Sequence, residues 1–471
     1  MRRLRHPFCC GSSIRREGKQ TVSEIRYWIW LGAALNYASP AILPLLARFG
    51  DAEGVFHASG EELAEIKELC TSERKKLALH DLSRAEEVAD YCMHAGVRIL
   101  TIADEEYPRA LLGIQNPPTL LYVRGTLPNW NTLPCIGVVG ARAMSYYGAS
   151  AACEISYDLA RMGCVTVSGM ALGIDGVVAA STLEAGGKTV AVLGCGIDRP
   201  YPREHRRLYR SILEGGGTII TEFPPYEGAD GFHFPLRNRI ISGISKAIIL
   251  VEGEANSGSL ITARYAKKQG KGVFAVPGKI NDKNSEAPLL LLKGDAKLLT
   301  CADDIYDTYK EEYFSSINPF NLLPKTSLNV ESVIRKYGVA TGREKAKEKK
   351  LLGKAPVTEE KTPLFQRLRG FFTGDAKAQK AEKQEEYIPP ESKASDSADA
   401  RRLALDEERR ALLGKEEYKV YERLSYDQPK HPDELADGLS VGDVASMLVM
   451  MEVLGCVLLA PGGCYLKNEN S

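Results

Sequence analysis

The sequence predicts an α/β protein with a doubly wound, mostly parallel sheet, together with a small helical N-terminal domain and a C-terminal winged helix. Two observations predict the sheet. Short apolar runs alternate with segments of roughly 10 to 20 residues, which is long enough for the crossover helices that parallel strands need. The runs also end in glycine or small polar residues, as strands do at the ligand-binding edge of such a sheet.

The predicted strands share a short, β-branched and apolar composition, and they cover residues 97–101, 120–123, 136–140, 164–167, 189–193, 218–221, 247–251 and 272–276. A helix is predicted between the third and fourth of them, because Ala152, Ile155, Leu159 and Met162 recur at helical spacing. The first turn of such a helix has unpaired N–H groups and the positive end of the helix dipole. The loop edge of the sheet therefore favours phosphate as its ligand.

The length of 471 residues favours about three domains at roughly 150 residues each. Composition and helix signals divide the chain into five parts: a disordered tail at 1–21, a helical domain at 22–95, the sheet domain at 96–308, a disordered linker at 309–404 and a winged-helix domain at 405–467. Ser59 and Glu62 form a capping-box pattern that predicts a helix start in the helical domain. The linker is predicted from its Lys/Glu-rich run at 343–350 and its Pro and Ser clusters.

The winged helix is predicted from three helical segments at 416–424, 431–439 and 441–454, followed by a hairpin. A winged helix that enters the major groove needs Arg or Lys on its third helix. Residues 442–454 contain neither, and residues 414–467 contain five Lys and Arg against nine Asp and Glu. Sequence-specific duplex binding is therefore disfavoured, and contact with a protein is preferred.

Composition excludes several classes of protein. Lys plus Arg and Asp plus Glu both number 61, so the net charge of zero predicts no partner. No apolar run approaches the roughly 20 residues of a membrane span, and no apolar signal segment follows the basic N-terminus. The 11 cysteines are scattered without paired CxxC spacing, which is typical of reduced thiols in a cytoplasmic protein without a structural metal.

Basic residues recur in the loops that follow the predicted strands. A single exposed arginine is more often a surface side chain than a ligand contact, but Arg142, Arg203, Arg237 and Arg239 all belong to one edge of one sheet. A phosphodiester chain accounts for that arrangement better than a solvated face does. The predicted DNA- or phosphate-binding residues share these loops and helix starts: Gly140, Arg142, Ser168, Gly169, Gly194, Gly196, Tyr201, Arg203, Phe234, Arg237, Asn238, Arg239, Ser257, Gly258, Ser259 and Thr262. Tyr201 and Phe234 fit base stacking and core packing equally well.

Seven segments, in order, resemble the signature of the DNA-processing protein A family (DprA, also called Smf). They are Val139-Gly-Ala-Arg142, Ser168-Gly-Met-Ala171-Leu-Gly-Ile-Asp175, Ala191-Val-Leu-Gly-Cys-Gly196, Tyr201-Pro202, Phe234-Pro-Leu-Arg-Asn-Arg239, Ser257-Gly-Ser-Leu-Ile-Thr-Ala263 and Val273-Phe-Ala-Val-Pro-Gly278. The resemblance covers residues 24–307, and the terminal module is similar to the family's winged helix.

The resemblance implies a cytoplasmic, ATP-independent protein without a cofactor that binds and protects incoming single-stranded DNA. It implies a homodimer that helps to load the recombinase RecA in natural transformation. It also implies a sterile-alpha-motif-like N-terminal domain before an extended Rossmann-like fold. By position, Arg142 and Arg203 would hold the DNA backbone, with Arg237 and Arg239 as companions.

The sequence departs from the family pattern at two places. Ala179 stands where the family has histidine, and Ala287, Leu289 and Asp295 replace Gly, Asn and Gly. The second place is where the family's dimer and recombinase surface is expected. The residues predicted for that surface are Leu289, Leu291, Leu292 and Leu298, and the leucine run fits core packing equally well.

The alternative is a nucleotide-acting Rossmann enzyme, similar to a nucleoside monophosphate phosphoribohydrolase. Such enzymes contain a P-G-G-x-G-T-x-x-E segment with a catalytic glutamate, which residues 255–262 lack. A nicotinamide enzyme needs G-x-G-x-x-G, which the turn at Gly140 does not provide. Asp175, Glu222 and Glu252 are predicted as structural carboxylates, and His205 and His233 as hydrogen-bond donors. The sequence therefore predicts a binding protein and not an enzyme.

Overall fold

The fold was analysed in a computed structural model, which describes residues 22–313, 316–318 and 328–342 and, with short gaps, 401–469. The chain divides into two compact units. The first contains the helical domain and the sheet, and the second contains the C-terminal residues. The predicted tail at 1–21 and most of the predicted linker lie outside the described residues.

Six short helices form the N-terminal domain: α1 (Val22–Ala34), α2 (Ile42–Phe49), α3 (Ala52–Phe56), α4 (Gly60–Ala64), α5 (Thr71–Leu77) and α6 (Ser83–His94). The predicted capping box begins α4. The Ser59 hydroxyl accepts the Glu62 N–H at 3.3 Å, and the Glu62 carboxylate accepts the Ser59 N–H at 2.9 Å. These helices bury Trp28, Leu31 and Leu45 in the same core as the sheet.

The central sheet has nine strands: β1 (Arg98–Thr101), β2 (Leu120–Gly125), β3 (Cys135–Val139), β4 (Val165–Ser168), β5 (Thr189–Val192), β6 (Thr218–Thr221), β7 (Ala247–Leu250), β8 (Gly272–Ala275) and β9 (Lys297–Leu298). Their order is β1-β2-β6-β5-β4-β3-β7-β8-β9. Strands β3 to β9 pair in parallel, whereas β1 and β2 are antiparallel at one edge. The chain builds outward from β3 on one side and from β7 on the other, so a topological switch point lies between these two strands. The predicted α/β class with a doubly wound, mostly parallel sheet is confirmed.

Helices cover the sheet: α7 (Arg109–Leu112), α8 (Tyr146–Arg161), α9 (Ile174–Glu184), α10 (Arg206–Glu214), α11 (His233–Ile244), α12 (Gly258–Lys268), α13 (Glu286–Lys293) and α14 (Asp303–Tyr309). The parallel strands between them are buried on both faces, as β5 and β7 show at every position. Helix α11 is buried on almost every side from Leu236 onward. That burial decides the environment of the polar residues that α11 contains.

Residues 329–342 are ordered, although the sequence analysis assigned them to a disordered linker. They begin with helix α15 (Val330–Tyr337). The Asn329 side chain accepts the Ser332 N–H at 3.0 Å, and Gly338 ends the helix in the left-handed conformation with φ 68°. Val330, Val333 and Tyr337 are buried. The predicted disorder at 309–404 is therefore wrong for this stretch, because its apolar face packs on the first unit.

The second unit contains helix α16 (Lys415–Glu422), a 3₁₀ turn at 432–435, and a hairpin of β10 (Val457–Ala460) and β11 (Cys464–Lys467). Tyr421, Leu448 and Met451 are among the residues of its apolar core. Parts of the third predicted helix at 441–454 lie outside the described residues, so the winged helix stays a prediction. Over the described part of the chain, none of the helices has the length and apolarity that crossing a membrane requires.

Candidate nucleic-acid interface

The loop after β3 is fitted tightly against the start of α9. A side chain at Gly140 would place its Cβ 2.8 Å from Ile174, and the Ile174 N–H donates to Ala141 O at 3.1 Å. Gly173 has φ 76°, and a Cβ there would overlap the carbonyl oxygens of Ala141 and Arg142. Only glycine fits at this position. The fixed loop leaves the Arg142 side chain exposed at the carboxyl edge of the sheet.

An aromatic pair lies beside Arg142. The Arg142 guanidinium carbon lies 5.4 Å from the ring centroid of Phe234, which is in the first turn of α11. The ring of Tyr201 lies 5.4 Å from that of Phe234 with an interplanar angle of 40°, and Tyr201 is 40% exposed. Gly194 backs the Phe234 ring, because a Cβ there would lie 2.9 Å from Phe234 Cδ1. A cation and two aromatic rings therefore meet on one surface.

Arg203 follows Tyr201 in a 3₁₀ turn, Arg203–His205, and is exposed. The turn is anchored by His205, which is fully buried. His205 Nδ1 lies 3.0 Å from Met170 O, and Nε2 accepts the Ala340 N–H at 2.9 Å. Burial lowers the pKa of His205, which favours the neutral ring with its proton on Nδ1. We name this group the rim: the exposed residues Arg142, Tyr201 and Arg203, and the half-buried Phe234.

Arg237 was predicted to contact DNA, and the structure contradicts this. Its side chain is only 4% exposed and donates to Gly169 O at 2.9 Å and to Val192 O. Burial lowers its pKa to about 10, against the attraction of Asp175. Burial also raises the pKa of Asp175, which accepts the Gly169 N–H at 3.0 Å. Arg237 and Asp175 thus brace the loops after β4 and β5 from beneath the rim.

Arg239 and Asn238 were also predicted in the interface, and both are buried. Arg239 is 3% exposed, and its Nη2 donates to the Glu222 carboxylate at 2.6 Å. Asn238 donates from Nδ2 to Gly258 O at 3.1 Å and thereby joins α11 to the start of α12. Both predictions are wrong because α11 is enclosed, so its polar residues find partners inside the protein.

Five of the predicted glycines and hydroxyl residues have packing roles instead. Ser168, Gly169, Gly194, Gly196 and Thr262 are all buried. The N–H groups of Gly169 and Gly196 were expected to bind phosphate, but they donate to Asp175 and to Glu227 O.

The remaining predicted residues on this edge lie at the start of α12. Gly258 is exposed there, and Ser257 and Ser259 are half-buried. Their two hydroxyl oxygens lie 2.9 Å apart.

Glu252 occupies the switch point between β3 and β7. It is 3% exposed, and its carboxylate accepts the Ser145 N–H at 2.9 Å, the Ser145 hydroxyl, and Asn284 Nδ2 at 3.3 Å. A Cβ at Gly148 would overlap this carboxylate. Glu252 therefore holds the start of α8, as the structural role predicted for it requires. Within the described residues, no group of three or more His, Cys, Asp and Glu has the arrangement of a metal site.

The predicted dimer and partner surface is partly buried. Leu291 is 4% exposed and packs in the core, so its assignment to a surface is wrong. Leu289 and Leu292 are half-buried, and Leu298 on edge strand β9 is 53% exposed. Only Leu298 offers most of its side chain to a partner.

A model of the family described as DNA recombination-mediator protein A matches residues 98–310. The DNA processing protein DprA of Bacillus subtilis is 37% identical over 225 residues, which is 48% of this chain and 75% of that protein. The chain belongs to this family. The resemblance to DprA/Smf proteins is thus confirmed.

Other members of the DprA/Smf family are also similar to this chain. Protein Smf of Escherichia coli is 43% identical over 206 residues, covering 44% of this chain and 55% of that protein. The X-ray structure of DprA from Streptococcus pneumoniae matches with a TM-score of 0.53 and 32% identity, over 60% of this chain and 97% of that chain. The family match ends before α15, so residues 328–342 lie outside it.

Proposed function

We propose that this DprA/Smf protein is a recombination mediator that binds single-stranded DNA along the rim. The observation that supports this most directly is the arrangement of Arg142 over Phe234 with Tyr201 beside it. Membership of a family of DNA recombination mediators supports the same conclusion. An exposed guanidinium binds phosphate, and an exposed ring stacks on a base.

The combination favours a single strand over a duplex. The bases of a duplex are stacked on one another, so an aromatic side chain reaches a base face only where the strand is single. The exposed arginines Arg203, Arg206 and Arg207 continue the positive surface beyond Tyr201. Such a surface binds the phosphate backbone of any sequence, as a protein that handles incoming strands requires.

A binding role without catalysis is also part of the proposal. Asp175, Glu222 and Glu252 are buried, and each has a structural partner in Gly169, Arg239 or Ser145. A general base must reach a substrate proton within hydrogen-bond distance. The three carboxylates instead hold loops and helices in place.

Competition binding tests this function. A labelled thymine oligomer is bound by the full chain, and unlabelled oligomer or AMP is added as competitor while anisotropy is recorded. We expect competition by the oligomer and not by AMP, and no release of adenine from AMP. Competition by AMP at equal nucleotide concentration, or base release, would favour the phosphoribohydrolase-like alternative.

Replacing Phe234 with leucine should lower the affinity for the thymine oligomer by about tenfold, since stacking on one base contributes roughly 1–3 kcal/mol. Leucine keeps most of the apolar volume but has no ring. The slope of log Kd against log salt should not change, because the charges remain. Phe234→Tyr is the control and should bind like the parent. Equal binding by the leucine variant would show that Phe234 only packs.

Homodimer formation and RecA loading, both in the cytoplasm, complete the proposal. Leu298 is the residue of the predicted surface with the greatest exposure. Leu298→Asp should convert a dimer to a monomer, measured as mass in solution with and without the thymine oligomer. Leu79→Asp is the control, because Leu79 is 74% exposed in the helical domain. An unchanged dimer mass for Leu298→Asp would mean that the dimer interface lies elsewhere on the protein. The rate of RecA filament formation on covered strands tests the loading role.

A further inference from the structure

The residues between Leu328 and Gly342, which we name the strap, contact the loops of the rim. The strap consists of α15 and the tail that follows it. Backbone groups of the tail make three hydrogen bonds, two to the backbone of Gly173 and Arg142 and one to the His205 side chain. Ala340 O accepts the Gly173 N–H at 2.9 Å, the Ala340 N–H donates to His205 Nε2 at 2.9 Å, and the Gly342 N–H donates to Arg142 O at 2.8 Å.

Each of these contacts lies beside a residue of the rim. Gly342 bonds to the backbone of Arg142 itself, and His205 ends the 3₁₀ turn that begins with Arg203. Gly173 lies against the Arg142 carbonyl, where only glycine fits. The tail of the strap is therefore bonded to both loops from which the two arginines project.

The strap fits these loops without spare space. A Cβ at Gly176 would lie 2.9 Å from Val339 Cγ1, and one at Gly342 would lie 3.2 Å from Arg142 O. Its helix is held at its C-terminal end, next to the tail, by Glu184, which accepts from the Tyr337 hydroxyl at 3.1 Å and pairs with Lys336 at 2.6 Å. Buried Val330 and Val333 add apolar contact with the first unit.

We propose that the strap is a positioning element for DNA binding, which sets the places of Arg142 and Arg203 relative to each other so that both engage one strand. This inference rests on the proposed function. In this proposal the strap acts through the backbone of the two loops and supplies no phosphate contact of its own. Loss of the strap therefore misplaces the phosphate contacts of Arg142 and Arg203 but removes neither of them. Replacement of the two arginines removes both contacts.

Loss of the strap and loss of the two arginines differ in the salt dependence of DNA binding that they leave. The slope of log Kd against log salt counts the phosphates neutralised, while affinity also depends on how well the charges are placed. In the test variant, residues 329–342 of the full chain are replaced by a Gly-Ser sequence of equal length that keeps Glu331, Arg335 and Lys336, so the charge of the segment is unchanged. We expect the affinity for a thymine oligomer to fall by about tenfold with the parent's slope.

Hydrogen exchange shows whether the strap has been released. The Gly173 amide, which donates to Ala340 O, should exchange faster in the variant. Parent-like affinity, or tighter binding, in a variant with a released strap would overturn the proposal. A loss of slope equal to that of the Arg142→Ala/Arg203→Ala variant would also overturn it, since the strap would then contribute charges. If the parent protein itself does not bind single-stranded DNA, the result contradicts the proposed function, which is a different outcome from failure of the strap proposal.

A milder variant decides the question if the replacement does not fold. Ala340→Pro removes the N–H that donates to His205 and keeps the carbonyl that accepts from Gly173. We expect a smaller loss of affinity, about threefold, again with the parent's slope. His205→Gln keeps an acceptor for that N–H and should bind more tightly than His205→Leu, which has none. Equal affinity of parent, Ala340→Pro and His205→Leu would overturn the proposal.

Discussion

Replacing Arg142 and Arg203 together with alanine should weaken binding of a thymine oligomer by roughly 100-fold, since a hydrogen bond to a charged group contributes about 1.5–3 kcal/mol. Each phosphate contact on a single strand contributes about 0.7 to the slope of log Kd against log salt. The slope of the double variant should therefore be smaller by about 1.4. Both side chains are exposed, so the fold should be unaffected. Anisotropy titrations at several salt concentrations measure both quantities.

The matched control removes two exposed arginines from the helical domain. Arg48 and Arg84 form exposed ion pairs, with Glu65 at 3.7 Å and Glu87 at 3.0 Å, and Arg48 also lies 5.7 Å from the ring centroid of Phe49. The Arg48→Ala/Arg84→Ala variant changes the net charge by the same amount and should keep the parent's slope. A parent-like slope in the Arg142→Ala/Arg203→Ala variant would place the DNA elsewhere. A slope reduced equally in both would mean that only total charge matters.

The sheet could be predicted because its signal is local. Strands buried on both faces are continuous apolar runs, and the predicted runs at 189–193 and 247–251 match β5 and β7 to within one residue. The glycine turns were assigned to the correct edge for the same reason. Which of these glycines would contact phosphate could not be predicted. A glycine that contacts phosphate and a glycine that leaves room for a neighbouring side chain look identical in the sequence. At Gly169 and Gly194 the neighbours are Arg237 and Phe234, and both come from α11.

The arginines show where sequence reasoning reaches its limit. Arg142 and Arg203 lie in loops with little covering chain, so their exposure follows from their position. Arg237 and Arg239 lie in one helix, and whether that helix is covered depends on distant elements such as the helical domain. Nothing in the local sequence marks Glu222 as the partner of Arg239. Arginines that cluster in the sequence are thus candidate phosphate contacts, and their burial in the folded protein decides which of them can reach DNA.

The strap was missed although its signal was present. Asn329 begins the helix, Val330, Val333, Ile334 and Tyr337 recur at helical spacing, and Gly338 ends it. The neighbouring Lys/Glu-rich run at 343–350 dominated the composition of the region, and a linker was predicted throughout. An apolar stripe with a cap at each end indicates order even inside a polar stretch.

Replacing Arg239 with methionine should destabilise the first unit by roughly 3–5 kcal/mol, because it leaves the buried Glu222 carboxylate without its partner. All three tryptophans of the chain, Trp28, Trp30 and Trp130, lie in this unit. Urea denaturation followed by tryptophan fluorescence therefore reports its stability separately from that of the second unit. The salt slope of DNA binding should not change, which distinguishes a buried brace from a phosphate contact.

The double variant Glu222→Leu/Arg239→Met provides the decisive comparison. Removing both charges leaves no buried ion without a partner, so most of the lost stability should return, as it does when apolar residues replace a buried pair. If Arg239→Met loses much of the stability and the additional Glu222→Leu substitution restores it, Arg239 acts through Glu222. If Arg239→Met instead kept the parent's stability and reduced the salt slope, Arg239 would reach the DNA, and the enclosed α11 would have to open for it.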